Sequence, residues 1–157
     1  MDRAIETCAR EVLEAVPVVM RFIRDHVRRR RAAGLSLPQF RTLVFLNRVE
    51  DASLSAVSEH LGLSLPATSR LINGMVTSGW VRRQTVSTNR RQIALTLTGA
   101  GRATLEKVRN EIRLQMAESL KILPAGEHKN IQRAMRTLHR VFDYQTVTGA
   151  KTGRSET

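Results

Sequence analysis

Six arginines, Arg70, Arg82, Arg83, Arg90, Arg91 and Arg102, lie between Glu59 and Glu106, and no acidic residue interrupts that window. A guanidinium stays charged at any physiological pH and offers a planar fork of donors that matches a phosphate. Such a cluster is suited to neutralising a polyanion and displacing its counterions. The flanking segments mix both signs, as ordinary solvated helices do. A basic surface kept for solubility would show the same composition, so the pattern around the arginines has to discriminate.

Arg90 and Arg91 stand in "STNRRQIALTLTGAG", where Ile93, Leu95 and Leu97 share one parity and Gln92, Ala94 and Thr96 the other. "WVRRQTV" and "QIALTL" read as two short strands about the loop "STNRR", which puts both arginines at a hairpin tip. Immediately before them, "LSLPATSRLINGMVTSG" reads as a helix with Ser64 as N-cap, Pro66 in the first turn and Gly79 as the stop. At about 100° per residue, Thr68, Leu71, Ile72, Met75 and Val76 gather on one side. Pro66, Arg70, Asn73 and Thr77 lie opposite, with Ala67 and Ser69 on the flanks. That free face is short and polar and lacks the dense Glu and Lys of a plain solvated helix. It suits a major groove, where close approach needs short side chains and Arg or Asn can pair with base edges.

The segment "SAVSEHLG", capped by Ser55 and stopped by Gly62, reads as a short helix ahead of it, so the pair forms a helix-turn-helix. With the hairpin it makes a winged helix, whose basic tip can enter an adjacent minor groove. The expected fold is mainly α with a small β-wing, a winged helix-turn-helix flanked by long N- and C-terminal dimerisation helices.

Those flanking helices follow from spacing. Residues 3 to about 32 carry Ile5, Cys8, Val12, Ala15, Val19, Phe22 and His26 at steps of 3 or 4, with a kink or break expected near Val16 from Pro17. The run Arg28 to Arg31 reads as solvated cations at the helix end. "LSLPQFRTLVFLNRVED" begins a helix after Ser36, burying Phe40, Leu43, Val44 and Leu46. After Thr98, a cap, a long helix aligns Leu105, Val108, Ile112, Met116 and Leu120. Pro124 opens another, with Ile131, Met135, Leu138 and Phe142 in line. These stripes exceed what one reading module needs, so Ile5, Val12, Val19, Ile112, Met116, Ile131, Leu138 and Phe142 are the expected dimerisation residues.

Bulk properties set the frame. The chain has 157 residues, enough for one ordinary core, and Lys plus Arg outnumber Asp plus Glu by 26 to 14, a net charge of +12. No apolar run approaches a membrane span, and "MDRAIETCAR" lacks the order of a signal peptide, so a cytoplasmic protein without membrane attachment is expected. One cysteine excludes an internal disulfide. Cys8 reads as a core thiol and Trp80 as a packing residue. His26, His60, His128 and His139 are scattered without ligand spacing, so neither metal nor other cofactor is expected. No nucleophile–base pair or phosphate-cradling glycine loop points to an enzyme.

"GLSLPQFRTL", "LGLSLPATSRLINGMVTSGWVRR" and "NRRQIALTLTGAG" together resemble the MarR family (multiple antibiotic resistance regulators), without gaps from about Leu35 to Gly101. The family wing pattern is Asp, any residue, Arg, then five residues to Leu-Thr and a Gly soon after. Arg91, Leu97, Thr98 and Gly101 match it, and Asn89 stands where the Asp is expected. The resemblance implies a homodimeric regulator of double-stranded DNA, usually a repressor at an inverted repeat, that responds to a small phenolic or acidic ligand. It implies DNA contacts at Ser64, Pro66, Ala67, Ser69, Arg70, Asn73, Thr77, Arg90 and Arg91, with Arg91 in the minor groove. The expected division is residues 1–34 and 101–144 for dimerisation, 35–100 for the winged helix-turn-helix and 145–157 as a disordered tail. A ligand-independent architectural or counter-silencing DNA binder fits the same residues, and a winged-helix protein-interaction module fits them less well.

Overall fold

A computed structural model describes the backbone of residues 2–29, 35–86 and 89–149, and the side chains over the same ranges apart from 86, 89–92 and 143–149. Six helices and a two-stranded sheet follow in the order α1 (Arg3–Arg29), α2 (Leu37–Arg48), α3 (Leu54–Leu61), α4 (Leu65–Thr77), β1 (Val81–Val86), β2 (Asn89–Leu97), α5 (Gly99–Leu120) and α6 (Ala125–Gly149). Two compact units divide the chain, the first up to Arg113 and the second from Leu114. Among the described residues, no helix is long and apolar enough to cross a membrane.

The caps explain where most helices begin. Ser36 and Gln39 form a reciprocal capping box, with Ser36 N–H donating to Gln39 Oε1 at 2.7 Å, and Pro38 sits in the first turn of α2. Ser53, rather than the expected Ser55, caps α3, its Oγ accepting from the Ala56 N–H at 3.1 Å. Starting two residues earlier lets Leu54 pack against the core. Ser64 Oγ accepts from Ala67 N–H, and Gly79 beyond the end of α4 takes the left-handed conformation that favours glycine. Thr98 Oγ1 accepts from Gly101 N–H at 3.0 Å to start α5.

Two expected interruptions are absent. Helix α1 is continuous through Pro17 instead of breaking near Val16, although proline brings no N–H to the Leu13 carbonyl and crowds it with its ring. Helix α6 continues to Gly149, so Gln145–Gly149 are helical rather than tail, with no proline before Gly149 to stop them. The remaining residues of the expected tail, 150–157, lie outside the described residues.

In the first unit the core gathers Val27 from α1, Phe40, Leu43 and Leu46 from α2, Val57 and Leu61 from α3, and Ile72 and Met75 from α4. Val81, Leu95 and Leu97 from the sheet and Leu105 and Ile112 from α5 complete it. The strands pair antiparallel from Val81↔Leu97 to Thr85↔Ile93, and Leu95 N–H also donates to Ala52 O at 2.8 Å, an isolated bridge beside the hairpin. Beyond that bridge none of the described residues buries the sheet, so Ile93 is 52% exposed despite sharing the parity of buried Leu95 and Leu97.

Candidate nucleic-acid interface

Helix α4 is seated by its apolar side. Thr68, Ile72 and Met75 are fully buried, Leu71 is half-buried, and Thr68 returns its hydroxyl to Ser64 O at 3.0 Å, so no polar group is stranded. Turned the other way are Pro66, Arg70, Asn73 and Thr77, all exposed, with Ala67 and Ser69 half-buried beside them and Ser64 exposed at the cap. The structure therefore brings seven of the nine expected contact residues onto one outward surface. Thr77 Oγ1 donates back to Asn73 O at 3.0 Å, which leaves Arg70 and Asn73 as the long donors on that surface.

The joint between α3 and α4 is fixed by groups that local spacing does not reveal. Ser58 Oγ donates to Leu63 O at 2.6 Å across the turn. Arg41 on α2 donates to the carbonyls of His60 at 2.9 Å and Leu61 at 3.4 Å, satisfying the C-terminal end of α3 with a cation. One helical turn on, the Phe45 ring stacks on the His60 imidazole with centroids 4.4 Å apart. Burial against that ring, then the charges of Arg41 and Arg48, hold the His60 pKa below the ordinary histidine value.

In the wing, Arg90 and Arg91 fall within β2 rather than in a loop, and their side chains lie outside the described residues, as does that of Asn89. The pairing jumps from Thr85↔Ile93 to Val86↔Asn89, so Arg90, Arg91 and Gln92 sit between two paired positions. Arg83 is exposed on β1. The window that is acid-free in sequence is not so in space: Arg82 and Arg102 line a cleft of about 200 Å³ together with Glu50 and Asp51. With its amide turned to present oxygen, Gln84 also accepts from Arg82 Nε and Nη2 at 3.2 and 3.1 Å. Arg70 and Arg83 are both exposed.

Residues 33–92 match the model of the MarR family, the segment that holds the helix-turn-helix and most of the hairpin. Over that segment the chain is similar to the MarR family. Its relatives include the HTH-type transcriptional regulator YfiV of Bacillus subtilis, 26% identical over 109 residues that make up 69% of this chain and 68% of that protein. The fold is shared with Rv1404 from Mycobacterium tuberculosis (TM-score 0.71, 22% identity, 91% of this chain and 97% of that one). It is shared also with the MarR family protein Rv2887 of the same organism, solved with salicylic acid (TM-score 0.61, 24% identity, 78% and 92%).

Three positions of the MarR wing pattern now have physical reasons. Leu97 is buried in the core. Thr98 caps α5 and donates its own hydroxyl to Gly79 O, tying the end of α4 to the start of α5. At Gly101 a Cβ would run into the backbone carbonyl of Trp80, so only glycine lets α5 approach so closely. Trp80 itself is half-buried and packs on the core.

The expected dimerisation residues divide. Ile5, Val19 and Phe142 are 61%, 47% and 54% exposed, while Val12, Met116, Ile131 and Leu138 are half-buried. Ile112 is different: it is buried within the chain's own core, beside Leu105. Cys8 is exposed rather than a core thiol. His128 Nε2 lies 2.8 Å from Leu120 O and closes the turn between α5 and α6. Among the described residues no cluster of His, Cys, Asp or Glu could hold a metal ion.

Proposed function

We propose that this chain is a MarR-family transcriptional regulator, a homodimeric repressor that reads an inverted-repeat operator, with α4 in the major groove and the β1–β2 wing beside it. The observation that carries the reading is the outward surface of α4, short, polar and without an acid, with Arg70 and Asn73 as its reaching donors. Ser64, Pro66, Ala67, Ser69 and Thr77 contact phosphates or allow the close approach, and Arg90 and Arg91 take the minor groove. Residues 35–100 are the reading part; 1–34 and 101–144 pair the two copies. The exposed seam of α1 supports that pairing, since such apolar surface on a lone chain calls for a partner.

Ligand control rests on a second feature. A cavity of about 200 Å³ in the first unit is lined by Val27, Leu35, Trp80, Thr104, Lys107, Val108 and Glu111. An aromatic wall and the Lys107 ammonium suit a small aromatic acid, the class to which the salicylic acid of Rv2887 belongs. Trp80 connects this cavity to the wing through the Thr98 N–H, which donates to Trp80 O at 3.1 Å. Titrating salicylate into a complex of the protein with a fluorescent operator duplex tests the scheme. Release of the duplex by wild type but not by Lys107→Met is expected; release from both equally contradicts the assignment of the cavity.

A further inference from the structure

The outer side of α6 has no part in the reading above. Lys129, Arg133, Arg136 and Arg140 recur at steps of 4, 3 and 4, and all four are exposed. At about 100° per residue they fall within roughly 60° of one another, along roughly 16 Å of helix. Ile131, Met135, Leu138 and Phe142 occupy the opposite side. Of the two acids of α6, Glu127 lies on that apolar side in the first turn, and Asp143 follows the stripe at its end.

Ion pairing among the described residues separates these cations from those of α5. On α5, Arg109 meets Glu106 at 3.1 Å, and beyond its last residue Lys121 meets Glu118 at 2.7 Å. Among the described residues no ion pair involves any of the four on α6. Four like charges on adjacent turns repel one another, a modest cost to the helix that an acid at any interposed position would relieve.

We infer that this stripe is a second phosphate-binding surface, one that holds the backbone of duplex DNA independently of the winged helix. A duplex presents one charge per ~1.7 Å of its axis, so every cation along the stripe finds a phosphate without demanding a sequence. Three of the four are arginine, whose fork matches phosphate oxygens bidentately. A bilayer fits less well, because a helix embedded by its apolar side would point the stripe away from the headgroups.

The test uses the full chain with Arg70→Ala, Arg83→Ala, Arg90→Ala and Arg91→Ala, so that the reading helix and wing are disarmed. Its affinity for a 40-base-pair duplex of arbitrary sequence is measured against salt. The stripe predicts a residual slope of log affinity on log salt near −3.6, about −0.9 for each of four phosphates. Adding Lys129→Gln, Arg133→Gln, Arg136→Gln and Arg140→Gln should bring it near zero, and Arg136→Gln alone should remove about one unit. In the otherwise native chain the four Gln substitutions should lower the slope and leave sequence preference unchanged. A slope indifferent to all these substitutions overturns the inference. So does four-residue-dependent binding to phosphatidylserine vesicles with no such effect on DNA.

Discussion

The guanidinium of Arg41 on α2 reaches the carbonyl oxygen of His60 at the end of α3, 2.9 Å away and nineteen residues along the chain. With Phe45 stacked on the His60 ring, α2 grips both the backbone and the side chain of the residue that precedes the turn into α4. Arg41→Ala should therefore lower stability by about 0.5–1.5 kcal/mol, the net worth of such hydrogen bonds, as read from the urea midpoint. It should also weaken operator binding more than nonspecific binding, because the pose of α4 is what loosens. Arg41→Lys, which can still place a cation at the helix end, should recover part of both.

The same contact makes the joint sensitive to pH. Burial against Phe45, with Arg41 and Arg48 nearby, lowers the folded-state pKa of His60 below its unfolded value near 6.5. The unfolded chain then binds the proton first, so stability falls as pH drops through about 6.5 and levels off below the folded pKa. Urea midpoints between pH 7 and pH 5 should show this loss in wild type. The loss should be smaller in His60→Gln, and equal losses in both proteins would remove His60 as its source.

Gly101→Ala should be costly although glycine is usually a poor helix residue. The added methyl meets the Trp80 backbone carbonyl, which cannot swing aside as a side chain would. A penalty of about 1–3 kcal/mol is expected, the range for overpacking a fixed site. A melting temperature at or above that of wild type would contradict the close approach.

What the sequence made legible was local. The N-cap at Ser64, the stop at Gly79 and the two sides of α4 follow from spacings of 3 and 4, and the structure has each of them. What escaped depends on residues distant along the chain. Arg41 and His60 share no local pattern, and Glu50 and Asp51 reach Arg82 and Arg102 only through the fold. The alternation around Ile93 promised a buried residue, but burial requires a covering layer, and the Ala52 bridge covers only as far as Leu95. Periodicity also treats Ile112 and Val19 alike, since it marks an apolar side without saying which partner covers it.

That last difference yields a paired test of assembly. Val19 is 47% exposed in the single chain, whereas Ile112 is 8% exposed. Val19→Asp should leave a folded chain that sediments as a monomer and binds operator weakly, because an unpaired charge would have to be buried between the copies. Ile112→Asp should abolish folding itself, seen as loss of a cooperative melt. If Val19→Asp remains dimeric at micromolar concentration, the α1 seam is not the interface.

The central claim, that α4 reads bases while the wing holds the neighbouring backbone and minor groove, is tested most directly by selecting bound duplexes from a random pool with wild type, Arg70→Ala and Arg91→Ala. Wild type should enrich an inverted repeat whose half-sites lie about one helical turn, or a multiple of it, apart. Arg70→Ala should lose preference at one base pair in each half-site, costing about 1–3 kcal/mol there. Arg91→Ala should keep the consensus and weaken binding broadly, most where the flanks are A·T-rich. No enrichment by wild type, or a consensus that changes with Arg91→Ala and not with Arg70→Ala, would contradict the account.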